Sequence, residues 1–295
     1  MKQVLIVKTG AAGDVLRTTF VLRNLTNDSI VHWLTDPLCM DLINSSLAKV
    51  YSSLDQIPDI VYDSIYCLEE DVELLKLIGT KVKCKEYIGY YEESGSVFYK
   101  GHETNWFDMS LNSKHGIEKA NILKLQNKKT FQELIAPIFN ITFDQQCYNT
   151  LDYDLKDSIV SGDIAIAKSA GNKWPNKNWA YYEDLKTVLE DIGYKVNYLP
   201  NRSTIKEHIA DIASHKLIVS GDSLPMHIAT ALKKPSVILF TCTSPWEIYD
   251  YNLIKKIVTP SIEKYYYTRG SNPEITKEIT IDQVLQLIKQ HEQFI

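Results

Sequence analysis

Little in this 295-residue chain points to a disulfide frame, a membrane span or a polyanionic partner. Its five cysteines (Cys39, Cys67, Cys84, Cys147 and Cys242) are odd in number, irregularly spaced and without a C-x-x-C pair. That excludes a cysteine scaffold or zinc site from expectation and suits reduced thiols. No apolar run approaches the roughly 20 residues that cross a bilayer. The N-terminal residues pass directly into strand-like Val4 to Val7, without an apolar signal segment and cleavage site, so a cytoplasmic protein is expected. Neither sign of charge dominates: 32 basic and 37 acidic residues leave a net charge of -5, which argues against nucleic acid as the main partner. Repeats and low-complexity tracts are absent too. Asp152-Tyr153-Asp154 has the letters of a metal-binding Asp-x-Asp but lies in an acidic linker, so no metal is expected.

What is present is an ordinary globular composition, 44% apolar and 23% charged, with strand and helix patterns in alternation. Strand-like runs are Val4 to Thr9, Ile30 to Thr35, Ile65 to Leu68 and Cys84 to Tyr90, then Ile164 to Ser169, Lys195 to Leu199, Leu217 to Ser220, Val237 to Thr241 and Lys256 to Val258. Helical patterns cover Asp14 to Leu25, Asp71 to Ile78, Phe131 to Phe139, Tyr181 to Ile192, Ile205 to Ser214 and Met226 to Leu232. Capping boxes mark three starts: Thr130 with Glu133, Thr204 with Glu207 and Thr280 with Gln283. This alternation predicts largely parallel sheets. Periodicity fades around Tyr148 to Gly162, which sets the expected domains at 1–155 and 156–295. The segment Tyr91 to Lys119, rich in Tyr, Trp, Gly, Ser and His, reads as an insertion or hairpin.

Two glycine-hinged loops, about two hundred residues apart, each leave an apolar strand and enter a helix. The first is Lys8-Thr9-Gly10-Ala11-Ala12-Gly13-Asp14-Val15-Leu16-Arg17; the second is Ser220-Gly221-Asp222-Ser223-Leu224-Pro225-Met226-His227. Each puts a carboxylate where a strand's C-terminal end meets a helix, the usual ligand crevice of an open parallel sheet. Two such loops in separate halves imply two doubly wound domains facing a cleft.

In the second loop Asp222 or Ser223 can cap the helix, and Pro225 suits its first turn. The remaining amides and the helix dipole would then attract a phosphate. The competing reading is a plain cap with His227 packed in the core. Lys168 to Trp179 follows the first strand of the C-terminal half, and its Gly, Asn and Pro residues form a loop able to return Lys173 or Lys177 over a diphosphate. Taken alone, both lysines suit solvated surface positions better, and Trp174 and Trp179 suit packing better than base stacking. Asp14 is a candidate base or a simple N-cap. A helix N-terminus lowers a carboxylate's pKa and weakens it as a base. A modest base suffices where the proton leaves only as a strongly cationic centre captures the oxygen.

The run Lys8 to Thr19 with His32-Trp33-Leu34-Thr35-Asp36-Pro37 resembles the N-terminal half of family 9 glycosyltransferases, the ADP-heptose heptosyltransferases. Gly171 to Trp179, Gly221 to His227 and Thr243-Ser244-Pro245-Trp246-Glu247-Ile248 resemble the C-terminal half, and Asn127 to Glu133 also fits. The resemblance implies a glycosyltransferase-B fold, with two Rossmann-like domains, acceptor on the first and nucleotide sugar on the second. It implies inverting transfer of a heptose from ADP-L-glycero-D-manno-heptose, without metal or cofactor, to a saccharide or glycolipid acceptor such as lipopolysaccharide inner core. Membrane contact would be at most peripheral, at the inner face of the cytoplasmic membrane. It makes Asp14 the general base and gives Lys177, exchangeable with Lys173, to the diphosphate. Asp222, Ser223, Leu224, Met226 and His227 become the donor loop, with Ser169 and Ala170 beside it. Glu247 is a stand-in for a ribose contact, and Lys8, Gly13 and Arg17 are acceptor contacts. Leu224 stands where many relatives have glycine, so strain would follow if that position needs a positive φ. Trp106 and Tyr99 suit either sugar stacking or packing.

The rival readings are a different nucleotide sugar or acceptor, an NAD oxidoreductase and a non-catalytic nucleotide-sugar binder. The oxidoreductase is disfavoured because Thr9 to Gly13 is a poor G-x-G-x-x-G and no acidic residue clearly ends the second strand.

Overall fold

Val4 to Val7 are all buried, as a central parallel strand covered on both faces requires. In the computed structural model, which describes residues 1–169, 171, 174–268 and 270–291, this strand is the middle of the first of two sheets. The chain divides into two compact units, Met1–Asn149 and Thr150–Ile295.

The first unit opens with β1 (Lys2–Val7), α1 (Ala12–Thr18), α2 (Leu22–Leu25), β2 (Ser29–Leu34) and β3 (Lys49–Tyr51). It continues through β4 (Val61–Cys67), α3 (Val72–Lys81), β5 (Lys83–Glu93) and β6 (Ser96–Lys100) to α4 (Asn105–Asp108), α5 (Ile117–Gln126) and α6 (Phe131–Ile135). The sheet order is β3-β2-β1-β4-β5-β6, parallel except for β6. Strand order therefore reverses between β1 and β4, the place where such sheets open a crevice.

The second unit runs β7 (Gly162–Ala167), α7 (Tyr182–Asp191), β8 (Val196–Tyr198), α8 (Ile205–Ala213), β9 (His215–Gly221), α9 (Leu224–Ala231), β10 (Ser236–Phe240), β11 (Ile254–Val258), α10 (Ile262–Tyr265) and α11 (Ile281–Lys289). Its sheet is parallel throughout, in the order β11-β10-β9-β7-β8, with the reversal between β7 and β9. Ile164, Ile166, Leu217, Val219, Val237 and Leu239 pack one face against Leu185, Leu189, Val284 and Ile288. These are the two α/β units with parallel sheets that the alternation of patterns predicts.

All three expected capping boxes form, with each threonine hydroxyl accepting from the amide three residues on and each Glu or Gln closing back. The helix expected over Asp14 to Leu25 is instead broken by a 3-10 turn at Thr19–Val21. Thr18 and Thr19 hydroxyls donate to the carbonyls of Asp14 and Leu16, both at 2.6 Å, and such back-bonding loosens the helical ladder. Pro137 similarly ends α6 and turns Ala136–Phe139 into a 3-10 segment. The aromatic insertion begins as a hairpin, β5 to β6, whose turn residues Ser94 and Gly95 have φ of +53° and +81°. Positive φ at both central positions is the hairpin geometry that follows strand twist. Tyr99 then stacks on Phe107, and Trp106 meets Phe131 edge-on, so both are packing residues.

Candidate functional site

The two strand-order reversals each bring two loops together, and the charged residues gather there. In the second unit, Pro175–Lys177 follows β7 as a 3-10 turn, and Asp222-Ser223 follows β9, which ends at Gly221. Lys177 Nζ donates to an Asp222 carboxylate oxygen at 3.0 Å and to the Asp222 carbonyl, with only 9% of its side chain exposed. Gly221 eases this approach, because a Cβ there would lie 3.2 Å from the Lys177 carbonyl oxygen, a tight contact. The turn is clamped around Asn176, which is fully buried. Its amide donates to Gly270 O at 2.8 Å, its Oδ1 accepts from the Asn272 amide at 2.7 Å, and its carbonyl accepts from the Thr241 hydroxyl at 2.6 Å.

Burial pushes the Asp222 carboxyl up, but the charges of Lys177 and His227 outweigh it and hold the group at about 2. It is therefore a permanent anion at neutral pH. An ammonium has three protons, and Asp222 engages two of those on Lys177, fixing where the third points. Beside this pair α9 begins, with Ser223 as its N-cap residue. The serine makes no capping hydrogen bond; its hydroxyl donates to Gly221 O at 3.3 Å.

Leu224 is the first residue of α9 and is not among the positive-φ residues, so the anticipated strain is absent. Met226, of the expected donor loop, lies inside the core. Its side chain is fully enclosed with Ile238, Phe240, Ile248, Ile254 and Ile262, and its amide donates to Ser223 O at 3.1 Å. His227 is 4% exposed and adds its charge beside Asp222. Ser169, exposed after β7, accepts from the Gly171 amide at 3.3 Å. Ala170 and Lys173 lie outside the described residues. Trp179 is a core residue donating to Ile279 O at 2.8 Å.

Glu247, on a turn after β10, accepts from the Tyr267 hydroxyl at 2.6 Å. Burial and the facing Glu247 charge raise the Tyr267 pKa far above the ordinary tyrosine range, so the phenol stays a donor. Lys256 secures the same turn through the carbonyls of Pro245 (2.8 Å) and Ile248. Neither Tyr267 nor Lys256 stands in a motif, and only the fold reveals them.

In the first unit, Ala11 rather than Asp14 is the N-cap of α1, and the aspartate lies in the first turn. It pairs with Arg17 Nη2 at 2.8 Å, and the Arg17 guanidinium lies 3.8 Å from the Phe131 ring centre. Gly13 is in the same first turn. Lys8, expected at an acceptor, has internal partners: Nζ donates to Glu69 Oε1 at 2.7 Å and to Gly10 O, and the residue is 9% exposed. Glu69, from the end of β4, carries no motif signal at all. Among the described residues no group of three or more His, Cys, Asp or Glu side chains is placed to hold a metal, and no helix is long and apolar enough to cross a membrane.

Two doubly wound sheets in succession, each with loops gathered at its reversal point, define a glycosyltransferase-B architecture. Solved structures agree over the whole length. The E. coli heptosyltransferase WaaC with ADP-2-deoxy-2-fluoro heptose superposes with a TM-score of 0.62 at 14% identity, covering 98% of this chain and 99% of that one. The E. coli ADP-heptose lipopolysaccharide heptosyltransferase II gives 0.64 at 17% identity, covering 98% of each. The family model for glycosyltransferase family 9 (heptosyltransferase) matches residues 194–274, from the start of β8 past Tyr267. Lipooligosaccharide heptosyltransferase 2 of Campylobacter jejuni is 36% identical over 76 residues, 24% of this chain and 24% of that protein. The chain thus covers about a quarter of its curated relative in sequence. The resemblance to glycosyltransferase family 9 read from the motifs is borne out by this segment and by the fold.

Proposed function

We propose that the chain is an inverting glycosyltransferase that moves a heptose from ADP-L-glycero-D-manno-heptose to a saccharide or glycolipid acceptor, with no metal or cofactor. The observation that carries this reading is the buried Lys177–Asp222 pair at the β7/β9 reversal, joined to the start of α9 within the family 9 segment. Lys177 offers its remaining proton to a diphosphate oxygen, and the head of α9 adds amide donors and its dipole. Ser223 and Leu224 meet the phosphates through their backbone, while Asp222 and His227 set the charge of that wall. Ser169, Lys173 and Glu247 border the nucleotide.

On the acceptor side Asp14 takes the proton of the attacking hydroxyl. That oxygen bonds to the anomeric carbon as the bond from that carbon to the diphosphate breaks, and ADP leaves with the electron pair. Stabilising the leaving charge by fixed donors is the largest catalytic contribution in such a displacement. The bound ligands of the structural neighbours, ADP-2-deoxy-2-fluoro heptose among them, support an adenine nucleotide as donor. A lipopolysaccharide or lipooligosaccharide acceptor follows the names of the relatives, and the choice of its inner core follows the motif resemblance.

Asp14→Asn, assayed with ADP-heptose, tests the base. Turnover is expected to fall by at least about a hundredfold, as for loss of a general base. Wild-type turnover in a folded variant removes Asp14 from the mechanism. Thermal shifts ranking ADP above UDP and GDP are expected, and a reversed ranking replaces the donor.

A further inference from the structure

The β1–α1 loop holds an anion seat that the protein has already filled. Glu69 Oε1 accepts from the Thr9 amide at 2.7 Å, the Gly10 amide at 3.2 Å and Lys8 Nζ at 2.7 Å. Successive backbone amides turned on one anion, with a lysine beside them, are the arrangement by which such loops cradle phosphate at a strand-order reversal. Here the anion is a carboxylate just past the end of β4, 15% exposed. Three more polar groups of the loop are engaged as well. Lys8 N–H donates to Leu34 O at 3.1 Å, Lys8 O accepts from Trp33 Nε1 at 3.2 Å, and Thr9 O accepts from the Asp36 amide at 3.2 Å.

We infer that Glu69 is a positioning residue: its carboxylate occupies the phosphate seat of the first unit, closing that loop to nucleotides and locking the entry to the helix that carries Asp14. Two consequences follow from the geometry. A nucleotide has no seat at the first reversal point, which leaves the second unit to bind one. The loop is also tied at both amides, so Ala11 enters α1 from a fixed direction. The catalytic consequence rests on the reading of Asp14 as the base; the occupied seat does not.

The test is Glu69→Ala with formate as a replacement carboxylate. Formate is expected to raise the Tm of the variant and leave that of the wild type unchanged, because only the variant has an empty seat. The kcat of the variant is expected to fall at least about tenfold through misplacement of Asp14, while the Kd for ADP stays at the wild-type value and formate restores part of the turnover. An equal response of both proteins to formate overturns the inference, as does a variant with wild-type kcat. Should Glu69→Ala fail to fold, Glu69→Gln keeps an acceptor for the amides but not the charge facing Lys8. It is expected to lower kcat with the ADP Kd unchanged, and a wild-type kcat again overturns the inference. A wild-type chain that transfers no sugar refutes the proposed function, and the formate response then still decides the seat.

Discussion

Replacing Asp222 by asparagine is expected to remove a defined part of the protein's acid sensitivity. Burial alone would raise this carboxyl above its ordinary 3.8, yet the neighbouring charges of Lys177 and His227 bring it to about 2. A depressed value in the folded state means that the unfolded chain binds more protons between the two values. The stabilisation is therefore complete above about pH 4 and is lost as pH falls through about 2. At about 1.4 kcal/mol per unit, the gap is worth about 2 kcal/mol.

Urea unfolding between about pH 5 and pH 2 reads this directly: the wild type is expected to lose about 2 kcal/mol more than Asp222→Asn over that range. A second arm uses Lys177→Met, which keeps the stem's volume but strands the carboxylate away from its nearest cation. Breaking a buried pair from one side costs about 3 kcal/mol or more. The double variant Lys177→Met with Asp222→Asn leaves neither charge and is expected to recover part of that loss. Parallel pH–stability curves for wild type and Asp222→Asn would refute the reasoning. So would a single Lys177→Met variant as stable as the double one. The same Lys177→Met protein is expected to bind ADP about tenfold to a hundredfold more weakly, from the loss of one charged hydrogen bond.

Two further substitutions test the first unit. Arg17→Met keeps a chain against Phe131 while removing the guanidinium that holds Asp14; kcat is expected to fall at least about tenfold with the ADP Kd unchanged. If Arg17 contacted only the acceptor, steady-state kinetics would show a raised acceptor KM at constant kcat instead. Gly89→Ala places a Cβ 1.9 Å from the Cys67 carbonyl at a φ of +106°. Parting β4 from β5 is expected to destabilise the first unit by about 3 kcal/mol or more, and denaturation showing under about 1 kcal/mol rejects the strand contact as drawn.

How far the sequence could be read depends on the distance over which each feature is decided. The strands expected from apolar runs all appear, and in β1, β9 and β10 burial on both faces leaves its mark within the run itself. Capping boxes were legible for the same reason, with donor and acceptor three residues apart. The short strand Lys49–Tyr51 was not, since its three residues carry too little pattern. The single helix expected from Asp14 to Leu25 failed where Thr18 and Thr19 turned their hydroxyls on the backbone, a choice that apolar periodicity does not record.

At the sites the limit is sharper. Asp14, Lys177 and Asp222 stand in motifs, and the structure joins the last two although 45 residues separate them. Lys8 also stands in a motif, yet its charge is answered by Glu69, 61 residues away and just past the end of another strand. A motif names residues that share a loop; it does not reveal what another strand delivers to that loop. The same loop chemistry thus ends in opposite states. At the β1/β4 reversal a carboxylate satisfies the amides and the lysine together. At the β7/β9 reversal Asp222 takes part of the Lys177 ammonium, and the helix cap residue turns its hydroxyl back on Gly221. Two copies of one fold can divide labour this way because occupying the seat requires a single acidic side chain at the end of the neighbouring strand.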